Sequence, residues 1–165
     1  MASRTTPIAL PLAEIRKLGP ADFPEFTDHL LRLDEESRRL RFSGTVSDRY
    51  LLHHALTAFT TGNALYGAFT GGRLRASAEI RALGPLRNPE AEVAFTVEAD
   101  WQQMGLGSRL MERVLAAAGR REIRRVHVVC LNENRRMRHL AEKFEGHLLT
   151  RDGETSDYLI EISAA

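Results

Sequence analysis

The sequence holds a single cysteine, Cys130, so no disulfide can close within one chain and no cysteine cluster can hold a metal. It also lacks any apolar run near the ~20 residues that a membrane-spanning helix requires. Its first residues, Met1 to Pro7, lead into no signal-like apolar segment. A reducing cytoplasm is the expected location, with no membrane partner. Charge of one sign is missing too: 23 Lys and Arg stand against 22 Asp and Glu, whereas nucleic-acid binders carry a basic excess. Aromatic residues, at 7%, leave few platforms for stacked bases. A nucleic-acid partner is therefore not expected. His53 and His54 diverge by about 100° on a helix and do not form a metal pair, so no metal site is expected.

What is present fits one folded unit. The 165 residues, 43% hydrophobic and 27% charged, suit a single domain over residues 1–165 with one core. The arginine runs at Arg120-Arg121, Arg124-Arg125 and Arg135 to Arg138 read as solvated faces.

Patterning supplies the elements. Ile8 to Lys17 reads as a strand that Gly19-Pro20 ends. Asp22 opens a helix carrying Phe23, Phe26, Leu30 and Leu33. The charged stretch Asp34 to Val46 reads as a loop or short helix. Ser47 caps a further helix to about Phe59, with Tyr50, Leu51, His54 and Ala55 as its apolar side. Asn63–Thr70 and Arg73–Leu83 flank Gly71-Gly72 as a β-hairpin. Gly84-Pro85 and Asn88-Pro89 bound a loop, and Ala91–Val97 is a strand. Gly105 to Ala118 is helical, Arg125 to Leu131 reads as a buried strand, and Asn134 to Phe144 as a helix. Gly146 to Ile162 holds two strands around Asp152-Gly153. The order β-α-α-β-β-β-α-β-α-β-β predicts an α/β (α+β) domain, a mixed sheet with helices packed on it.

The segment Val97-Glu98-Ala99-Asp100-Trp101-Gln102-Gln103-Met104-Gly105-Leu106-Gly107-Ser108 carries the chemistry. A strand ends, a loop follows, and two glycines open a helix. The first turn of a helix offers unpaired N–H groups and a positive dipole end to an anion, and glycine removes the Cβ that would hold a phosphate away. A dinucleotide fingerprint would need a small residue where Leu110 stands, and the Gly-Lys-Ser/Thr of a P-loop is absent. Without further context, a tight turn is the competing reading.

Two segments together resemble the GNAT family of N-acetyltransferases. Gln102-Gln103-Met104-Gly105-Leu106-Gly107 is similar to its Gln/Arg-x-x-Gly-x-Gly/Ala signature, and Leu131 to Ala141 to its strand-to-helix segment with Asn134 near the cofactor. The resemblance spans roughly Leu65 to Ile162 and implies the GNAT fold, a mostly antiparallel twisted sheet of about seven strands flanked by about four helices. Asp34 to Phe42 further resembles a segment of bacterial Pat-type protein lysine acetyltransferases; an amphipathic charged loop is the equal alternative.

The resemblance implies acetyl-CoA as co-substrate and an amine acceptor, either a protein lysine or a small molecule such as a polyamine, aminoglycoside or amino acid. It places the pantetheine arm along the backbone of Phe95, Thr96 and Val97, and the pyrophosphate on the amides of Gln103, Met104, Gly105, Leu106, Gly107 and Ser108 behind Gln102. Asn134 is assigned to the cofactor arm, alongside a role as helix cap. An alkyl ammonium has a pKa near ~10.4, so a base must take a proton before attack. Glu92 is the first candidate for that base and Glu79 the second. The tyrosine that many relatives use as an acid is replaced by Ala141, which leaves Tyr158 and His139 as unsupported substitutes. Glu145 stands where relatives often have glycine. The competing function is an acyl-CoA sensor without turnover. The C-terminal strands could pair two copies into a homodimer, by analogy with relatives.

Overall fold

The computed structural model describes residues 12–60, 62–85 and 89–163. Strand β1 (Glu14–Lys17) ends in a 3-10 turn at Pro20–Asp22. There the Asp22 carboxylate accepts from the Gly19 amide at 2.9 Å and from Arg16 at 2.8 Å. The expected strand began at Ile8; its first residues, Ile8 to Pro11, lie outside those described, as does Asn88 of the expected loop.

Helix α1 (Phe23–Arg32) buries Phe26, His29 and Leu30, the i, i+3, i+4 stripe that faces a core. The segment expected as a loop or short helix is a helix, α2 (Glu35–Phe42), which brings the α-helices to five among the described residues. It buries no residue; it forms because Asp34 accepts the Ser37 amide at 2.7 Å, a cap worth about 1 kcal/mol. Helix α3 (Asp48–Ala58) starts the same way, with Ser47 accepting from the Tyr50 amide at 3.2 Å.

Strands β2 (Asn63–Thr70) and β3 (Arg73–Leu83) form the expected hairpin. Gly71 and Gly72 sit at φ 59° and 75°, the left-handed pair that a two-residue turn needs. Then follow β4 (Glu90–Val97), α4 (Leu106–Arg120), β5 (Arg125–Leu131), α5 (Arg135–Lys143), β6 (His147–Asp152) and β7 (Thr155–Glu161). The seven strands lie in the order β1-β2-β3-β4-β5-β7-β6. Every neighbouring pair is antiparallel except β4 with β5, because α4 carries the chain back across the sheet between them.

That parallel pairing is short. It comprises Glu90 with Arg125, Ala91 with Val126 and Glu92 with His127, and stops. Beyond Glu92, β4 pairs only with β3, and the two central strands part. Cores form on both faces of the sheet. On one, α4 contributes Leu110, Met111 and Val114 against Ile80, Val93, Val126 and Val128. On the other, α1 and α3 pack Phe26, Leu30, Leu51 and Ala55 on Leu65, Phe69 and Leu74. Each such Val, Leu, Ile, Met or Phe side chain contributes roughly 1.5–3 kcal/mol by leaving water.

Candidate active site

Where β4 and β5 part, a cleft of about 610 Å³ opens. Its walls come from both sides of the sheet: Ser37, Arg41 and Tyr50 from α2 and α3, and Gly107, Met137 and Leu140 from α4 and α5. Strand alternation decides what β4 offers to it. The Glu98 amide donates to the Arg75 carbonyl at 3.0 Å, so the even-numbered residues of this end turn their backbone toward β3 and the odd-numbered ones away from it. The backbone groups of Val93, Phe95 and Val97 therefore face the gap. Thr96 lines the cleft but turns its peptide groups toward β3, unlike the expectation that grouped it with Phe95 and Val97.

The anion end lies at the start of α4. Gln103 and Gly105 take φ of 60° and 80°, which curls the loop so that successive N–H groups converge. Among the described residues, no amide from Gln103 to Ser108 donates to a backbone carbonyl; the first helical bond runs from Arg109 to Gly105, at 3.1 Å. A Cβ at Gly105 would meet nothing within 4 Å, and one at Gly107 would only touch Leu140 at 3.5 Å, so the glycines leave room on the ligand side. Lys143 donates to the Ser108 hydroxyl at 2.9 Å, and Arg136 lines the cleft while bonding Gln102. Free amides, a dipole end and two cations form a cradle that fits a pyrophosphate. Gln102 braces this loop: its amide nitrogen donates to the Val97 carbonyl at 3.0 Å and to the Ser37 hydroxyl at 3.1 Å. Met104 is exposed and its side chain does not line the cleft. Asn134 caps α5, accepting from the Met137 amide at 3.1 Å, and lines the cleft as well.

The two candidate bases differ in surroundings. Glu92 sits on the last paired rung of β4, lines the cleft, and is 28% exposed with one partner, Arg81, at 2.9 Å. Glu79 accepts from Arg41 at 3.0 Å and from His54 at 2.9 Å. Burial alone would push Glu79 up, but Arg41 and His54 outweigh it and hold its pKa at about 2. A carboxylate gripped in that way is a weak proton acceptor, and Glu79 does not line the cleft. The same contact corrects α3: His54, expected on the apolar side, reaches for Glu79, and Tyr50 is 46% exposed toward the cleft.

Ala141 is buried in the core, and no acid can act from there. Tyr158 is buried too, accepting from Arg138 at 3.2 Å; His139 lines the cleft. Cys130 also lines it, with burial pushing its thiol up. Sequence reasoning missed Arg41, Tyr50 and the buried His29, because each is recruited by contacts between distant elements. Among the described residues no group of three metal-ligating side chains occurs, and no helix is long and apolar enough to cross a membrane.

Comparison with known proteins bears on this geometry. No curated protein matches the chain. Solved structures do. The GNAT domain of S. lividans PAT aligns with a TM-score of 0.78 at 22% identity, covering 91% of this chain and 90% of that one. RimL, a ribosomal L7/L12 alpha-N-protein acetyltransferase in complex with coenzyme A, aligns at 0.70 and 17% identity, covering 93% and 96%. A GNAT-family acetyltransferase from Streptococcus pneumoniae aligns at 0.67 and 18% identity, covering 89% and 96%. At these identities the likeness is one of fold. The sequence itself matches the model of the Acetyltransferase (GNAT) family over residues 25–146, which contain both the parted strands and the glycine turn. The chain thus belongs to the GNAT family, the enzymes that move an acetyl group from acetyl-CoA to an amine.

Proposed function

We propose that this chain acts as a single N-acetyltransferase domain, in the cytoplasm, on a primary amine that enters the cleft from the α2–α3 side. The amine belongs to a protein lysine or to a small molecule. One observation carries the reading: the cleft joins a cradle of free amides, at Gln103 to Ser108, to an open carboxylate, Glu92. Acetyl-CoA supplies an activated acetyl thioester. The residues that would hold it are the gap-facing backbone of Phe95 and Val97, the turn Gln103–Ser108, and Asn134. Glu92 takes the proton that leaves the ammonium, directly or through water; the nitrogen then attacks the thioester carbonyl, the C–S bond breaks, and coenzyme A leaves as a thiolate that takes up the proton shed by the new amide nitrogen, with no covalent enzyme intermediate. Arg41, paired with Glu79, lines the same space on the acceptor side. The edge strand β6, exposed along its whole length with Leu148 and Leu149 outward, is the surface we assign to homodimer pairing.

The test is a calorimetric titration with acetyl-CoA of the wild type and of Gly107→Trp, followed by thiol release across lysine peptides, polyamines, aminoglycosides and amino acids. Wild-type binding that the tryptophan abolishes, with thiol release on one class of amine, is the expected result. Binding without turnover on any amine would make the chain a sensor. No binding would remove the cleft from consideration.

A further inference from the structure

Helix α1 sends two side chains across to the end of β4, and neither belongs to the cleft. His29 is 0% exposed. Its Nδ1 lies 3.1 Å from Glu98 Oε1 and its Nε2 2.7 Å from Thr96 Oγ1. Thr96 Oγ1 in turn lies 2.6 Å from Ser77 Oγ, directly across the β3–β4 pair. Glu98 also accepts from Arg32 at 2.8 Å and from Arg75 at 3.0 Å.

The surroundings of Glu98 and His29 give this chain of bonds a direction. Burial alone would push Glu98 up, but His29, Arg32 and Arg75 outweigh it and hold its pKa at about 2. An ionised carboxylate only accepts, so His29 Nδ1 carries the hydrogen. Burial pushes the imidazole below its ordinary value, against the pull of Glu98, so the ring is neutral and Nε2 must accept. The Thr96 hydroxyl therefore donates to Nε2, and its oxygen accepts from Ser77. All the hydroxyl hydrogens point one way, from β3 through β4 to α1. With the ring neutral, this arrangement gives each of these buried groups a partner.

The place of this relay matters. The end of β4 has lost its β5 neighbour, and there the strand is held from β3, from Gln102 at the Val97 carbonyl and, through Thr96 and Glu98, from α1. We propose that Ser77, Thr96 and His29, anchored on Glu98, form a directional relay that positions the free end of β4 for acetyl transfer. They are positioning residues: they touch none of the gap-facing backbone groups of Phe95 and Val97 while fixing the orientation of the strand that carries them. This rests on the reading of the cleft as the acetyl-CoA site. An orientation error of a fraction of an ångström lowers turnover more than it lowers affinity.

The experiment compares Thr96→Val, which keeps the shape and removes the hydroxyl, with Thr96→Ser, which keeps the hydroxyl. Thr96→Val is expected to bind coenzyme A with full stoichiometry and a Kd within about threefold of wild type, while kcat falls by about tenfold to a hundredfold. Thr96→Ser is expected to stay within about threefold in kcat. Amide hydrogen exchange, read on protein without ligand, is expected to quicken in Thr96→Val at Thr96 and Glu98 and to stay unchanged in α4 and β7. Uniform quickening, equal losses in both variants, or a kcat loss matched by lost binding stoichiometry would each overturn the relay. Should Thr96→Val not fold, Ser77→Ala removes only the outermost donor, and unchanged exchange at Thr96 together with unchanged kcat would overturn it equally. Wild-type turnover tests the cleft reading, whereas the exchange pattern needs no acceptor and bears on the relay alone.

Discussion

Glu92 and Glu79 show how little a residue type says without its neighbours. Both are strand carboxylates near the cleft, yet one is held by a single partly exposed arginine and the other by Arg41 and His54 together. Glu92→Gln is expected to lower kcat by about a hundredfold to a thousandfold, with calorimetric binding of acetyl-CoA unchanged. Glu79→Gln is expected to lower the unfolding free energy by about 1–3 kcal/mol, measured in urea, since it leaves Arg41 and His54 facing a neutral partner. Glu145 sits at φ 63°, a conformation that a side chain resists. Glu145→Gly is expected to raise stability by roughly 0.5–1 kcal/mol in the same measurement. Glu92 was legible because β4 alternates visibly from Ala91. His29 was not: its two partners lie 67 and 69 residues away, and within α1 it falls on the stripe of Phe26 and Leu30 like any core residue.

At the scale of elements, the segments with a strong period or a glycine pair were readable in advance. The hairpin at Gly71-Gly72 and the stripe Leu106, Leu110, Val114 of α4 needed only local physics. Helix α2 was ambiguous because its stability comes from a cap and from the Glu36–Arg39 pair at 2.9 Å, with no buried apolar face to give a period. The parting of β4 from β5 was invisible, since nothing local in either strand says where a pairing stops. A charged clasp marks that point: His127 bonds Glu90 and Asp157, each at 2.9 Å, tying β5 to β4 and β7. Burial lowers the pKa of His127, but Asp157 and Glu90 outweigh it and raise it above the usual value of 6.5. The raised value means that the clasp stabilises fully below the unfolded pKa and weakens as pH climbs through the folded one. His127→Gln is accordingly expected to lower the melting temperature more at pH 6 than at pH 9.

For the whole molecule, acid acts through Glu79, Glu98 and His29, alongside the lowered carboxylates of Asp22, Asp34, Glu36 and Glu90. Glu79 and Glu98, both held at about 2, stabilise the fold above the ordinary carboxylate range and lose that contribution as pH falls toward 2. His29, lowered by burial, resists a proton that the unfolded chain accepts below about pH 6.5, so its cost begins earlier. Melting temperatures are expected to decline from near pH 6.5 downward and steeply below pH 5, with the raised His127 opposing the fall. A monotonic rise on acidification would contradict these environments.

The three-rung junction between β4 and β5 has a mechanical consequence. The sheet is close to two half-sheets sharing a seam, and the backbone bonds missing along that seam are ones a pantetheine chain can make. Such a ligand is a removable stitch. By mass action it adds about 2.7 kcal/mol of apparent stability at a hundredfold excess over its Kd. The protection should spread to β5 and β7, on the far side of the seam from the glycine turn, so that the loaded enzyme melts as one body where the empty one yields first along its middle.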